Sequence, residues 1–124
     1  MVLIPAPFQA DGLLWRGVIR AKAFTCERMK DWLRKHPNVR TIRVAAADLN
    51  GQARGKRVPT RFAENVVKNG TRFPFSVLNL DIWGEDIDDS PLVFEQGDQD
   101  GVLKPTERGF MPMPWLEAPT ALLP

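Results

Sequence analysis

Two stretches of the chain carry side chains whose types and spacing suit chemistry. Gly51-Gln52-Ala53-Arg54-Gly55-Lys56-Arg57 sets three cations among two glycines. Backbone amides bared by glycine, with Arg54 and Lys56 beside them, can hold an anion. The spacing is not that of a P-loop, which needs four residues between its first and second glycines and then Lys-Ser or Lys-Thr. Here three residues separate Gly51 from Gly55, and Arg57 follows Lys56. A solvent-facing hairpin tip is the plainer reading of the same residues. Asp98-Gln99-Asp100-Gly101 opens like a calcium loop, but an EF-hand loop needs glycine at its sixth position and glutamate at its twelfth. Counted from Asp98 those positions are Leu103 and Gly109, which leaves a turn or an isolated hard-cation site.

Other reactive side chains are scarce. A single histidine, His36, excludes a histidine-based metal cluster, and a single cysteine, Cys26, excludes an internal disulfide and a cysteine-rich zinc site. Both fall at helical spacing with Met29, Trp32 and Leu33, so Cys26 reads as a core residue and His36 as the end of a helix. No Cys/His/Asp arrangement supports nucleophilic catalysis.

Net charge is +2, but it is divided along the chain. Residues 1–80 hold 15 Lys and Arg against 5 Asp and Glu, and residues 81–124 hold 2 against 10. Eight acids between Asp81 and Asp100 share a window with no base. The basic half is able to meet phosphate; the plainer reading is that the two signs face each other or a second chain, because charge runs are usually solvated faces. There is no Tyr, and the aromatic residues fall mostly on apolar faces, so stacking platforms for nucleic acid are lacking.

Positioning these residues falls to one domain's worth of chain, 124 residues with 44% hydrophobic and 26% charged side chains. No apolar run reaches the roughly 20 residues of a membrane span, the apolar start lacks the basic flank of a signal peptide, and the cytoplasm is the expected location. Residues 1–23 show no clean period and read as a mobile lead-in or a peripheral strand. Thr25 caps a helix that Pro37 stops. Arg40–Leu49 alternates as a strand, with Ile42, Val44 and Ala46 on one face and Arg43, Ala45 and Ala47 on the other. Asn50-Gly51 predicts a type I′ turn into a return strand over Ala53–Val58. A second helix runs from Pro59-Thr60 to Lys68 with Phe62, Val66 and Val67 inward, ended at Gly70 by a left-handed cap. Phe73–Ile82, the most apolar stretch, predicts a central strand. Gly84–Gly101 is a long acidic loop; Gly101–Lys104 and Phe110–Met113 are short strands, and the proline-rich tail suits an edge strand and an extended exit. The sum is α+β: a mixed open sheet with two helices on one face.

Taken together, these segments resemble the amino-terminal β-grasp domain of the glutamine synthetase family. Ala47-Asp48-Leu49-Asn50-Gly51 with Arg54-Gly55-Lys56 resembles its hairpin, and Gly70-Thr71-Arg72-Phe73-Pro74-Phe75-Ser76 the stretch after its helix. Gly97-Asp98-Gln99-Asp100-Gly101 with Pro105 resembles its acidic loop. Pro112-Met113-Pro114-Trp115 with Pro119-Thr120-Ala121 resembles its last strand. Arg-Gly-Lys with Phe-Pro-x-Ser is more similar to the γ-glutamylpolyamine synthetase-like branch than to the classical ammonia-using enzymes.

The resemblance covers residues 24–124 and implies an ATP-dependent carboxylate–amine ligase using Mg²⁺ or Mn²⁺, assembled as a ring. The β-grasp domain of one subunit then lends loops to the catalytic domain of its neighbour. It implies Asp100 and Ser76 as catalytic positions near a neighbour's site, and Asp98, Arg54 and Lys56 as substrate-binding positions. No metal ligand and no cofactor is expected within this chain. The aspartate that helps bind ammonium in classical members falls on Pro74, which directs the expectation away from ammonium. The catalytic domain's metal-binding glutamates and ATP-binding glycines are absent, so the chain alone is expected to be inactive. The competing expectation is a stand-alone β-grasp interaction module, or a regulator of ligase assembly, using an edge strand or the charged loop.

Overall fold

A computed structural model describes residues 2–4, 23–95 and 97–124. Strand β1 (Val2–Ile4) lies at one edge of a three-stranded sheet, so part of the lead-in is a peripheral strand; most of residues 1–23 falls outside the described residues. Helix α1 spans Cys26–Lys35. The Thr25 hydroxyl accepts from the Arg28 amide at 3.3 Å, and Glu27 stands in the first turn, where an anion offsets the helix dipole. Met29 is buried, with Cys26, Trp32 and Leu33 packed around it, and the His36 ring stacks on Trp32 with centroids 3.9 Å apart. His36 and Cys26 are thus packing residues.

Strands β2 (Thr41–Ala47) and β3 (Ala53–Pro59) form an antiparallel hairpin. A 3₁₀ turn, Thr60–Phe62, leads into α2 (Ala63–Asn69). That turn corrects one expectation. Its tighter winding changes the angular phase, so Ala63 joins Val66 and Val67 inside while Phe62 stays 48% exposed. The helix ends at Gly70, whose φ of 80° and ψ of −168° are extended rather than left-handed helical. A Cβ there would stand 2.5 Å from the Leu103 carbonyl oxygen, which leaves glycine as the residue that fits.

The predicted central strand over Phe73–Ile82 is also corrected. Strand β4 covers only Thr71–Pro74, at the far edge of the sheet ordered β1-β5-β4, and a 3₁₀ turn follows at Ser76–Leu78. Pro74 has no amide to donate, and Phe75 adopts helical angles (φ −66°, ψ −33°), so the ladder cannot continue. The acidic segment is not loop throughout, because it holds the short helix α3 (Pro91–Phe94).

Strands β5 (Asp100–Lys104), β6 (Met111–Pro112) and β7 (Thr120–Leu123) complete the fold. The proline-rich tail does supply an edge strand, β6, but it does not run on as an extended exit. The second sheet has the order β3-β2-β7-β6, and β7 lies inside it, parallel to β2 and antiparallel to β6. Pro119 and Pro124 flank the four residues of β7 rather than interrupt them, so every amide within the strand is free to donate. Ile42 pairs with Ala121 and Val44 with Leu123, and all four side chains are fully buried against α1 and α2. Phe110 closes this core beside Phe24 and Trp32. A second cluster, Ala46, Phe73 and Leu103, joins the two sheets. The class is therefore α+β, with a mixed open sheet and two helices on one of its faces.

Candidate functional site

The β2–β3 connection is built around one carboxylate. Asp48 Oδ1 accepts from the amides of Asn50 and Gln52, both at 2.8 Å, and Oδ2 accepts from Arg54 Nε at 2.9 Å. The Asp48 amide donates to the Gln52 carbonyl at 2.9 Å and the Gly51 amide to the Asp48 carbonyl at 3.0 Å. Only Gly51 has a positive φ, 75°, which corrects the expected type I′ turn, since that turn needs two. The Asp48 side chain is wholly covered. Burial opposes its ionisation, but the Arg54 hydrogen bond, the two amides and the Arg54 charge outweigh it and hold the carboxyl below its ordinary value.

The same turn occurs a second time. The Asp81 amide donates to the Glu85 carbonyl at 2.9 Å, and the Gly84 amide to the Asp81 carbonyl at 3.1 Å. Asp81 Oδ1 accepts from the amides of Trp83 and Glu85 at 2.8 and 2.9 Å, and Gly84 has φ 85°. The two turns are tied side by side. Asn50 Nδ2 donates to the carbonyls of Leu80 and Asp81 at 2.8 and 3.0 Å, and the Leu49 amide donates to Leu78. The Arg54 guanidinium reaches from Asp48 to Gly84, where a Cβ would lie 3.3 Å from its Nη2. Together the turns hold out Leu49, Ile82 and Trp83, which are 73%, 74% and 82% exposed. Sequence reasoning missed Asp48, Asp81 and Trp83 as a group; the repeated Asp-x-x-Gly spacing at 48/51 and 81/84 was the available signal.

The residues singled out from sequence fall in two places. Ser76 is buried and its hydroxyl donates to Asp98 Oδ1, while Asp98 itself is exposed with φ 51°. Asp100 opens β5 opposite Pro74, and its side chain is exposed. These three share one corner, where both carboxylates face solvent. Arg54 and Lys56 lie elsewhere, on β3. Arg54 is engaged with Asp48, and Lys56 Nζ donates to the Arg72 carbonyl at 2.8 Å and sits 5.8 Å from the Phe73 ring. Both cations thus hold the sheets and turns together, with Lys56 retaining an exposed surface. Among the described residues no group of three or more His, Cys, Asp or Glu side chains converges as a metal ion's ligands would.

No protein-family model matches the chain. It is 37% identical over 93 residues to the γ-glutamylputrescine synthetase PuuA of Escherichia coli (strain K12), a match covering 75% of this chain and 19% of that protein. The chain thus spans about a fifth of the length of the curated relative it matches. This similarity supports kinship with the glutamine synthetase-like ligases.

Proposed function

We propose that this chain is the amino-terminal β-grasp domain of a glutamine synthetase-like ligase that joins glutamate to an amine, and that it lends loops to a neighbouring subunit without catalysing alone. The observation that carries this reading is the match of 93 residues to a γ-glutamylputrescine synthetase. Such a ligase works with ATP and Mg²⁺ or Mn²⁺ in a ring, and the partner of this domain is a catalytic domain of the same or a neighbouring subunit. The paired turns support the loop-lending role, because Leu49, Ile82 and Trp83 leave apolar area in water on a rigid base. Asp98 and Asp100 offer negative charge to a cationic amine, and Ser76 orients Asp98 by donating to it. Pro74, where classical members carry an aspartate, supports an organic amine over ammonium.

The test replaces the matched region of the E. coli enzyme with that of this chain. The chimera is expected to retain ATP-dependent γ-glutamylputrescine formation and to lose most of it on Trp83→Ala. The chain alone is expected to give none. Product from the pure chain, or a well-assembled chimera without activity, overturns the reading.

A further inference from the structure

The face of the four-stranded sheet turned away from the helices carries an electrostatic cost. Arg43 on β2 stands directly opposite Arg57 on β3. Directly opposed side chains of an antiparallel pair lie about 4.5–5.5 Å apart at Cβ, and like charges there weaken the pairing. Neither guanidinium forms an ion pair with a described carboxylate; the ion pairs among the described residues involve Lys30, Arg34, Arg54 and Lys68.

The two arginines border a hollow of about 280 Å³ on this face. Its floor is small by necessity. A Cβ on Gly55 would fall 1.8 Å from the Val44 carbonyl oxygen, so that position stays bare, and Ala45 and Ala53 flank it. Its wall is Trp115, 70% exposed, beside Met113 and Leu122. An indole in water and a like-charged pair with no counter-ion among the described residues both cost stability, and both meet at the same hollow.

We propose that this hollow is a binding site for a compact phosphate monoester, its dianionic group held between Arg43 and Arg57 and its organic part against Trp115. Two guanidinium forks match the charge and the oxygens of a phosphate monoester, which accepts bidentate bonds from each. The volume, about 280 Å³, falls just short of the usual small-molecule range, roughly 300–1,000 Å³, which keeps the organic part small. The indole face recognises a flat or apolar body.

Phenyl phosphate is the probe, with inorganic phosphate and benzoate as comparisons, titrated into the full chain by calorimetry and tryptophan fluorescence. Phenyl phosphate is expected to bind saturably at one site, about tenfold more tightly than either comparison. Arg57→Gln and Arg43→Gln should each weaken it about tenfold, and each should raise the melting temperature of the unliganded chain by relieving the opposed charges. Trp115→Ala should reduce phenyl phosphate to the affinity of inorganic phosphate. Arg57 is exposed, so Arg57→Gln stays readable should the half-buried Arg43→Gln fail to fold. Three results would overturn the proposal. One is no saturable binding at about 10 mM probe, a free energy too small to matter in a cell. The second is unchanged affinity in Arg57→Gln, and the third is an equal loss in Arg108→Gln, which would mean general attraction to a basic surface. None of these readouts depends on ligase activity, so this site and the ligase reading stand or fall separately.

Discussion

Asp48 organises its surroundings because a buried carboxylate must have its oxygens satisfied. Two backbone amides and one guanidinium do so, and the same bonds close the turn and orient Arg54. Its carboxyl is held below its ordinary value, so the folded state favours the ionised form. The contribution to stability is therefore fully present above the unfolded value, about 3.9, and is lost as pH falls through the lower folded value. Asp48→Asn is expected to flatten the pH dependence of the urea midpoint below about pH 4, measured from neutral to acid pH. Gly70 acts on the backbone alone. Gly70→Ala places a Cβ 2.5 Å from the Leu103 carbonyl at φ 80°, and is expected to cost about 1–3 kcal/mol in chemical denaturation.

Among the elements, β7 decides the architecture. It is only four residues long, yet it fills the place between β2 and β6 and supplies Ala121 and Leu123 to the core. Alternation along the strand separates two neighbouring leucines. Leu123 is fully buried on the helix side, whereas Leu122 lies on the open face beside the Arg43–Arg57 pair. Leu123→Ala is expected to cost about 2–5 kcal/mol by leaving a cavity, and Leu122→Ala less than about 1 kcal/mol. A pair of equal costs would mean that β7 does not sit inside the sheet. The paired Asp-x-x-Gly turns make the same point at the surface, since each turn is locally closed while their side-by-side placement depends on Asn50 and Arg54 reaching across.

At the scale of the whole molecule, the two core clusters share strand β2. Ile42 and Val44 belong to one cluster and Ala46 to the other, so the sheets are expected to unfold together. Leu103→Ala, in the smaller cluster, should shift the far-ultraviolet and near-ultraviolet transitions by the same amount; separate transitions would show two independent units. The division of charge also belongs to this scale. Within the described residues, no ion pair joins the acids between Asp81 and Asp100 to a base.

Local information was sufficient for a large part of this protein. The Thr25 cap and Pro37 bounded α1, strict alternation assigned the two faces of β2, and glycine after Asn50 located the hairpin, because caps, periods and turns act over a few residues. The resemblance to a ligase family and the corner of Ser76, Asp98 and Asp100 were also legible in the order of short motifs. Three features were not. Phe73–Ile82 is apolar enough for a central strand, but Pro74 and the helical Phe75 end it and its apolar side chains serve the junction of two sheets. The tail's prolines suggested an exit, but pairing with β2, far upstream in sequence, turned it into an inner strand. The gathering of Asp48, Arg54 and the Asp81 turn, and the hollow between Arg43 and Trp115, need two or more elements to meet. Amino-acid type and spacing determine what each segment can bury and where it can bend; only the folded chain decides which buried faces share a core, and hence which charged groups stand together without partners.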